Sequence, residues 1–320
     1  MAYSYAAPTG ISFSDKGLAL TYIVPASKCN LNCSFCVIKQ RQEALQNTLS
    51  ISDYLNFTKN IIEKEQVAVI SVQGYEPLLP ESWPYTKAIM EQAASYGLPR
   101  SFITNGYLLE ERAQDVIDLK LTGISVSVDS CSPIIHDRLR GKEGAFAKTV
   151  RGIQKLNRLS DDSMNLTVCS VLMPKKRVNL KRMPELLDSI GVRSWGISPL
   201  MRIGRNEIGG ITGAGEEIIE DLLYFSEEAK KYGISVFLND ELSAIPNEHI
   251  ADLNEQIVRR FKRPDGLIRL NANGACSIGT EILQQVSPTE TPVWDPSKLS
   301  PAAFLDSIRN SSPDISIAAA

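Results

Sequence analysis

Apolar positions along the chain fall into short strand-like runs separated by longer stretches with helical spacing. Residues 18–24 are an apolar run that stops at Pro25, and residues 67–72 are β-branched and close on Gly74 and Pro77. Between them, residues 50–65 carry Leu55, Ile61 and Ile62 at helical spacing, with Ser50, Ser52 or Asp53 available as a cap. The alternation continues with a helix that ends at Tyr96 before Gly97, a strand at 101–104, a helix at 109–119 and a strand at 123–129. It then repeats with a helix at 146–159 (Phe146, Val150, Ile153 and Leu156 inward), a strand at 166–173, a helix at 183–190 and a strand at 194–198. Six strands separated by helices predict an α/β fold with a parallel sheet and right-handed crossovers. A curled sheet of that kind places function at the carboxyl ends of its strands. Beyond residue 201 the rhythm loosens: a glycine-rich stretch at 203–215, a helix at 216–232, a strand at 234–238, and an irregular extension from Asn239. The chain therefore divides into an N-terminal segment (1–17), a core (18–200), a C-terminal extension that completes the site (201–309) and a frayed tail (310–320).

Charge narrows the partners. Lys and Arg number 34 against 37 Asp and Glu, a net charge of −3, which gives no basic field for nucleic acid. No apolar stretch approaches the roughly 18–20 residues that cross a bilayer, and the N-terminus lacks a secretory pattern. The expectation is a cytoplasmic protein with neither nucleic acid nor membrane as partner. Two basic runs, one of Lys175, Lys176, Arg177, Lys181 and Arg182, the other of Arg259, Arg260, Lys262 and Arg263, read as solvated surface before they read as phosphate sites. The only histidines are His136 and His249, so no histidine acid–base pair is on offer.

Six cysteines in 320 residues are too sparse for a disulfide framework. Three of them, Cys29, Cys33 and Cys36, share one loop after the first strand at C-x3-C-x2-C spacing. Three thiolates hold three irons of a four-iron cluster and leave the fourth iron open to a chelating ligand. A structural zinc would want a fourth Cys or His, and the loop contains none. Buried core cysteines are the blander alternative, but Asn30, Asn32 and Ser34 interleave the thiols and make poor packing material.

With that loop the chain resembles the radical S-adenosylmethionine (radical SAM) enzymes, from about Leu18 to Leu200 and more loosely to Gly279. The resemblance implies a partial (β/α)6 TIM-like barrel with a short irregular C-terminal extension. It also implies one 4Fe-4S cluster on Cys29, Cys33 and Cys36, with S-adenosyl-L-methionine on the open iron and Phe35 as the aromatic before the third cysteine. Gln73-Gly74-Tyr75-Glu76-Pro77 looks like the family's GGEP segment, although Tyr75 replaces its second glycine; this implies that Gly74, Tyr75 and Glu76 contact the methionine amino group. Thr104-Asn105-Gly106 resembles a T-N-G segment near the ribose, and Ser198 a segment bordering adenine. The stretch Ser125 to Gly141 is similar to an S-x-D…H-D-x-x-R-G pattern of the SPASM/twitch-related branch, implying that Ser127 and Arg140 hold the SAM carboxylate. Arg138 competes for that role, and His136 reads as a structural loop residue.

The branch normally feeds further clusters from cysteines in its extension, and here the extension holds only Cys276, in a hairpin-like run from Ile268 to Gly279. Cys131 and Cys169 are too dispersed to imply a second cluster. Cys276 is then either a packed core residue or a hydrogen-atom donor that quenches a substrate radical. The second option makes the chain an isomerase of the sugar or aminoglycoside epimerase kind, with a small polar substrate and a flavodoxin- or ferredoxin-type electron donor. Radical SAM oxidation or rearrangement of a sugar, modification of a peptide, and a non-catalytic metal-binding protein are the alternatives.

Overall fold

The computed structural model describes residues 5–6, 12–13, 17–36, 49–161, 163–173, 177–199, 215–238, 266–279 and 293–311. Six strands appear where the apolar runs predict them: β1 (Leu18–Ile23), β2 (Val67–Gln73), β3 (Arg100–Thr104), β4 (Gly123–Ser127), β5 (Asn165–Leu172) and β6 (Ser194–Pro199). They lie side by side in chain order and are parallel throughout. A seventh, β7 (Ser235–Leu238), continues the sheet beyond β6. The helices between them are α1 (Ile51–Ile62), α2 (Trp83–Ser95), α3 (Leu109–Asp118), α4 (Pro133–Arg140), α5 (Ala145–Leu159), α6 (Met183–Ser189) and α7 (Gly215–Lys230).

The sequence predicts an irregular extension, but its described residues include two strands of the main sheet. Its strand β8 (Gly266–Leu270) runs parallel to β1, and β9 (Cys276–Gly279) pairs antiparallel with β8. The hairpin foreseen around residues 268–279 is therefore part of the main sheet, whose order is β9-β8-β1-β2-β3-β4-β5-β6-β7. Local pattern reveals a hairpin but not the distant strand it joins. A further helix, α8 (Pro301–Ser311), packs against α1. Separately, Tyr5–Ala6 and Ser12–Phe13 form a short antiparallel pair.

Register divides the sheet into two chemically different faces. Tyr22, Val72 and Phe102 share one row, as do Val126, Val168, Trp195 and Val236 another, and all are buried. These rows meet the helices: the Tyr22 ring stands edge-on to Tyr54 of α1, and Trp195 packs on Phe225 of α7. Alternation sends the intervening residues to the opposite, concave face. There lie Thr21, Ser71, Ser101, Ser125, Ser127, Thr167, Cys169, Ser194, Gly196 and Ser198. A parallel sheet usually reads apolar on both faces; here the opposite face mixes apolar residues such as Val69 and Ile103 with many hydroxyls, in pairs such as Thr21–Ser71 (2.9 Å) and Thr167–Ser194 (2.6 Å).

Helix α1 shows how local chemistry fixes this frame. Ser50 caps it in a reciprocal box with Asp53, and Tyr54, Phe57, Thr58 and Ile61 line its buried side. The Tyr54 hydroxyl donates to the Ile23 carbonyl at 2.8 Å, tying the helix to the very end of β1. Trp294 covers Phe57 from outside at 5.1 Å between ring centres.

Candidate functional site

The cysteine loop leaves β1 at its carboxyl end and is fastened before its first cysteine and again between its cysteines. At the start, the Ser82 hydroxyl donates to the Pro25 carbonyl (2.7 Å), and Ser27 donates from its N–H to Glu81 (2.7 Å). Between the cysteines, the N–H groups of Asn32 and Ser34 donate to the carbonyls of Arg140 (3.0 Å) and Leu139 (3.1 Å). Those carbonyls belong to the last turn of α4, where helical carbonyls have no partner within the helix. Gly141, in the left-handed region at φ 65°, closes α4 and lets the Asn32 backbone lie against it. Lys142 then reaches across to the Asn30 carbonyl at 3.0 Å.

Cys29, Cys33 and Cys36 are all half-buried on this loop. Burial pushes the Cys29 thiol up to about 11, and the thiols of Cys33 and Cys36 together with Glu76 add to the shift. Burial also raises Cys33, opposed by the positive charge of Arg140. Cys29 Sγ donates toward the Tyr75 carbonyl (3.5 Å) and receives the Leu31 N–H (3.5 Å) and the Asn105 amide (3.7 Å). Among the described residues no three His, Cys, Asp or Glu side chains converge on a single-ion site. A four-iron cluster instead offers its thiolate-bound irons at separate corners. Two buried donors beside the loop, Asn30 Nδ2 and Arg140 Nε, have no hydrogen-bond partner within the protein. Orphaned donors of this kind fit an anionic, sulfur-rich group. The donor set and its surroundings thus fit a 4Fe-4S cluster.

The other predicted residues converge on the same end of the sheet. Gly74 holds φ 125° where β2 ends, with Ile23 so close that a Cβ would stand 3.0 Å from its methyl. Glu76 is 1% exposed, and burial pushes its carboxyl up to about 7 despite donors on both oxygens. Thr104 (2.6 Å) and the Leu78 N–H (3.1 Å) serve Oε1, and the Asn105 N–H (2.7 Å) serves Oε2. Glu76 therefore clasps the ends of β2 and β3 together. Asn105 passes that order to the cysteine loop through its amide, 2.8 Å from Asn30 Oδ1. Ser127 and Ser198 sit half-buried at the concave ends of β4 and β6.

Helix α4 is where reading the sequence fell short. Residues 133–140 carry little apolar periodicity because the side chains the helix buries, His136 and Arg140, are polar. Arg140 is not in a loop, and at 7% exposed it is deeply held. Its Nη2 pairs with Asp129 Oδ2 at 2.6 Å, its Nη1 lies 3.9 Å from Cys33 Sγ, and its guanidinium stands over the Phe35 ring at 5.4 Å. Arg138 is exposed. His136 is held neutral, its pKa lowered to about 4 chiefly by burial and then by Arg140, and its Nδ1 accepts the Asp129 N–H at 3.3 Å. Asp129, the acid of the S-x-D pattern and given no role from sequence, thus organises both.

Of the two readings left open for Cys276, its place in the fold agrees with the packed core residue. It pairs with Leu270, which pairs with Tyr22, so register puts it on the helix-covered face. It is fully buried in the core, and burial pushes its thiol up to about 12. Cys169, in contrast, is a half-buried concave-face thiol against Gly196. Of the first basic run, Arg177 pairs with Asp221 and Glu220, and Arg182 with Glu185; residues 174–176, the second run and His249 lie outside the described residues.

A thiol loop clamped at the carboxyl end of a parallel sheet, with a polar concave face below it, defines a site for cluster-dependent chemistry. Residues 23–190 match the Radical SAM superfamily. The chain belongs to that superfamily, whose members use a 4Fe-4S cluster and S-adenosylmethionine. It is 31% identical over 192 residues to a GTP 3',8-cyclase from Picosynechococcus sp., covering 57% of this chain and 56% of that one. It is 24% identical over 180 residues to the antilisterial bacteriocin subtilosin biosynthesis protein AlbA of Bacillus subtilis, covering 56% of this chain and 38% of AlbA. The chain spans about half the length, or less, of these curated relatives. Its fold is similar to that of Streptococcus suis SuiB bound to S-adenosylmethionine, with a TM-score of 0.61 at 11% identity over 87% of this chain and 63% of SuiB. Among the described residues no helix is long and apolar enough to cross a membrane.

Proposed function

We propose that this chain is a radical SAM enzyme that abstracts hydrogen from a polar substrate seated on the concave face of the sheet. The carrying observation is the clamped trio Cys29, Cys33 and Cys36 facing the ends of β2, β3 and β4. When bound, the cluster and S-adenosylmethionine together supply one-electron cleavage to methionine and a 5'-deoxyadenosyl radical, chemistry a polypeptide leaves to its cofactors. The protein's own part is to orient and enclose. Gly74 and the Tyr75 backbone would border the amino end of the sulfonium compound when it binds, and Asn105, Ser127 and Ser198 would border the remainder. Glu76 and Thr104 act from behind by fixing the strand ends, since the carboxylate oxygens are already engaged. Of the polar residues on the concave face, Ser71, Ser127 and Ser198 are only partly buried and are the hydroxyls that suit contact with a polar substrate. An acidic flavodoxin- or ferredoxin-type protein is the proposed electron source.

Epimerisation of a sugar rested on Cys276 as donor, and that thiol is sealed on the opposite face. The reading therefore stops at hydrogen abstraction; the relatives named for GTP cyclisation and bacteriocin biosynthesis favour a nucleotide or peptide substrate over a sugar. The test is anaerobic reconstitution of the full chain, followed by dithionite and S-adenosylmethionine. Release of 5'-deoxyadenosine supports the proposal, and its absence from iron-loaded protein refutes it. Product mass with nucleotide, peptide and aminosugar candidates then separates cyclisation, oxidation and epimerisation.

A further inference from the structure

We propose that Arg140, held by Asp129, is a positioning residue that sets the charge at the Cys33 corner of the cluster and so governs how readily the cluster takes up an electron. The proposal rests on the reading that the three thiols hold a cluster. It does not depend on the carboxylate-gripping role that resemblance suggested for the same side chain, for which Nε is still without a partner.

The geometry commits the guanidinium on three sides. Nη2 is 2.6 Å from Asp129, whose side chain is fully buried; Nη1 points at Cys33 Sγ; and the plane rests on Phe35. Asp129 is itself fixed, since its Oδ1 accepts the Val171 N–H at 2.9 Å. Losing the guanidinium would leave Asp129 as an uncompensated buried charge, which is strongly unfavourable, so the pair is held together at Nη2. The same residue also binds the loop by its backbone, through the Arg140 carbonyl and the Asn32 N–H.

Electrostatics gives this contact a consequence. The cysteine loop lies on the carboxyl end of α4, where aligned carbonyls present partial negative charge. A cluster that must accept an electron is disfavoured beside such an end. Arg140 places a positive charge and an N–H donor next to one ligating sulfur, and hydrogen bonds to cluster sulfurs and local charge are the levers that move cluster potentials. Asp129 moderates that charge without cancelling it, because the guanidinium lies between the carboxylate and the thiol.

The experiment is an EPR-monitored redox titration of the reconstituted full chain before S-adenosylmethionine is added, on wild type, Arg140→Gln, Arg140→Lys and Asp129→Asn. Arg140→Gln is expected to titrate at a lower potential than wild type, Arg140→Lys close to wild type, and Asp129→Asn higher. Identical potentials in wild type and Arg140→Gln overturn the proposal. So does a fall of about tenfold or more in S-adenosylmethionine affinity at unchanged potential, which marks a carboxylate-binding role. Should Arg140→Gln take up no iron, Asp129→Asn decides: a potential equal to or below wild type contradicts the proposal. Wild-type protein that takes up no iron refutes the cluster reading instead.

Discussion

Gly141 and Asn32 touch backbone to backbone: a Cβ on Gly141 would stand 2.2 Å from the Asn32 carbonyl oxygen. One residue that ends a helix thereby also seats the loop carrying the three thiols. Gly97 has a similar φ of 68° but nothing within 4 Å of its Cβ position, so the two glycines separate backbone strain from contact. Both Gly97→Ala and Gly141→Ala should lose about 1 kcal/mol to left-handed strain. Only Gly141→Ala adds a backbone clash and should displace the cysteine loop, so at a temperature where both variants are folded it should take up much less iron on reconstitution than Gly97→Ala. Equal iron content in the two variants would show that the clamp does not matter.

Glu76 should tie stability to pH. Its carboxyl is raised from 4.5 to about 7 in the folded chain, so the native state holds a proton that the unfolded chain releases. Stability from this group is present below about 4.5 and is lost as pH rises through about 7, a change on the order of 3 kcal/mol. His136 slopes the opposite way below 6.5, because its folded pKa is depressed. The difference between wild type and Glu76→Gln isolates the carboxyl. Denaturant midpoints at pH 5 and pH 8 should diverge more in wild type than in the variant, with wild type the one that weakens toward pH 8.

Cys276 should behave as a core residue. Cys276→Ala removes a buried sulfur and should cost about 1 kcal/mol, and Cys276→Ser should cost more, about 1–3 kcal/mol, by burying a hydroxyl among apolar neighbours. Neither change should alter 5'-deoxyadenosine release from iron-loaded protein or the mass of the product. A product that changes only in these variants would restore a role for the thiol in the reaction.

What the sequence made legible was whatever is written locally. The six core strands followed from short apolar runs, and the cysteine loop from residue type and spacing. Three other features depend on distant chain. Strand β8 finds β1 across more than two hundred residues of sequence, and that pairing alone decides which face Cys276 occupies. Helix α4 buries polar side chains, so it left no apolar stripe to find. Asp129 gains its importance only when Arg140 and His136 fold onto it.

The most direct test of the central claim is EPR of the anaerobically reconstituted, dithionite-reduced full chain, with and without S-adenosylmethionine. The account predicts a reduced 4Fe-4S signal that S-adenosylmethionine perturbs and that is lost in Cys29→Ala, Cys33→Ala and Cys36→Ala. Zinc in place of iron, or a cluster signal indifferent to S-adenosylmethionine, would contradict it.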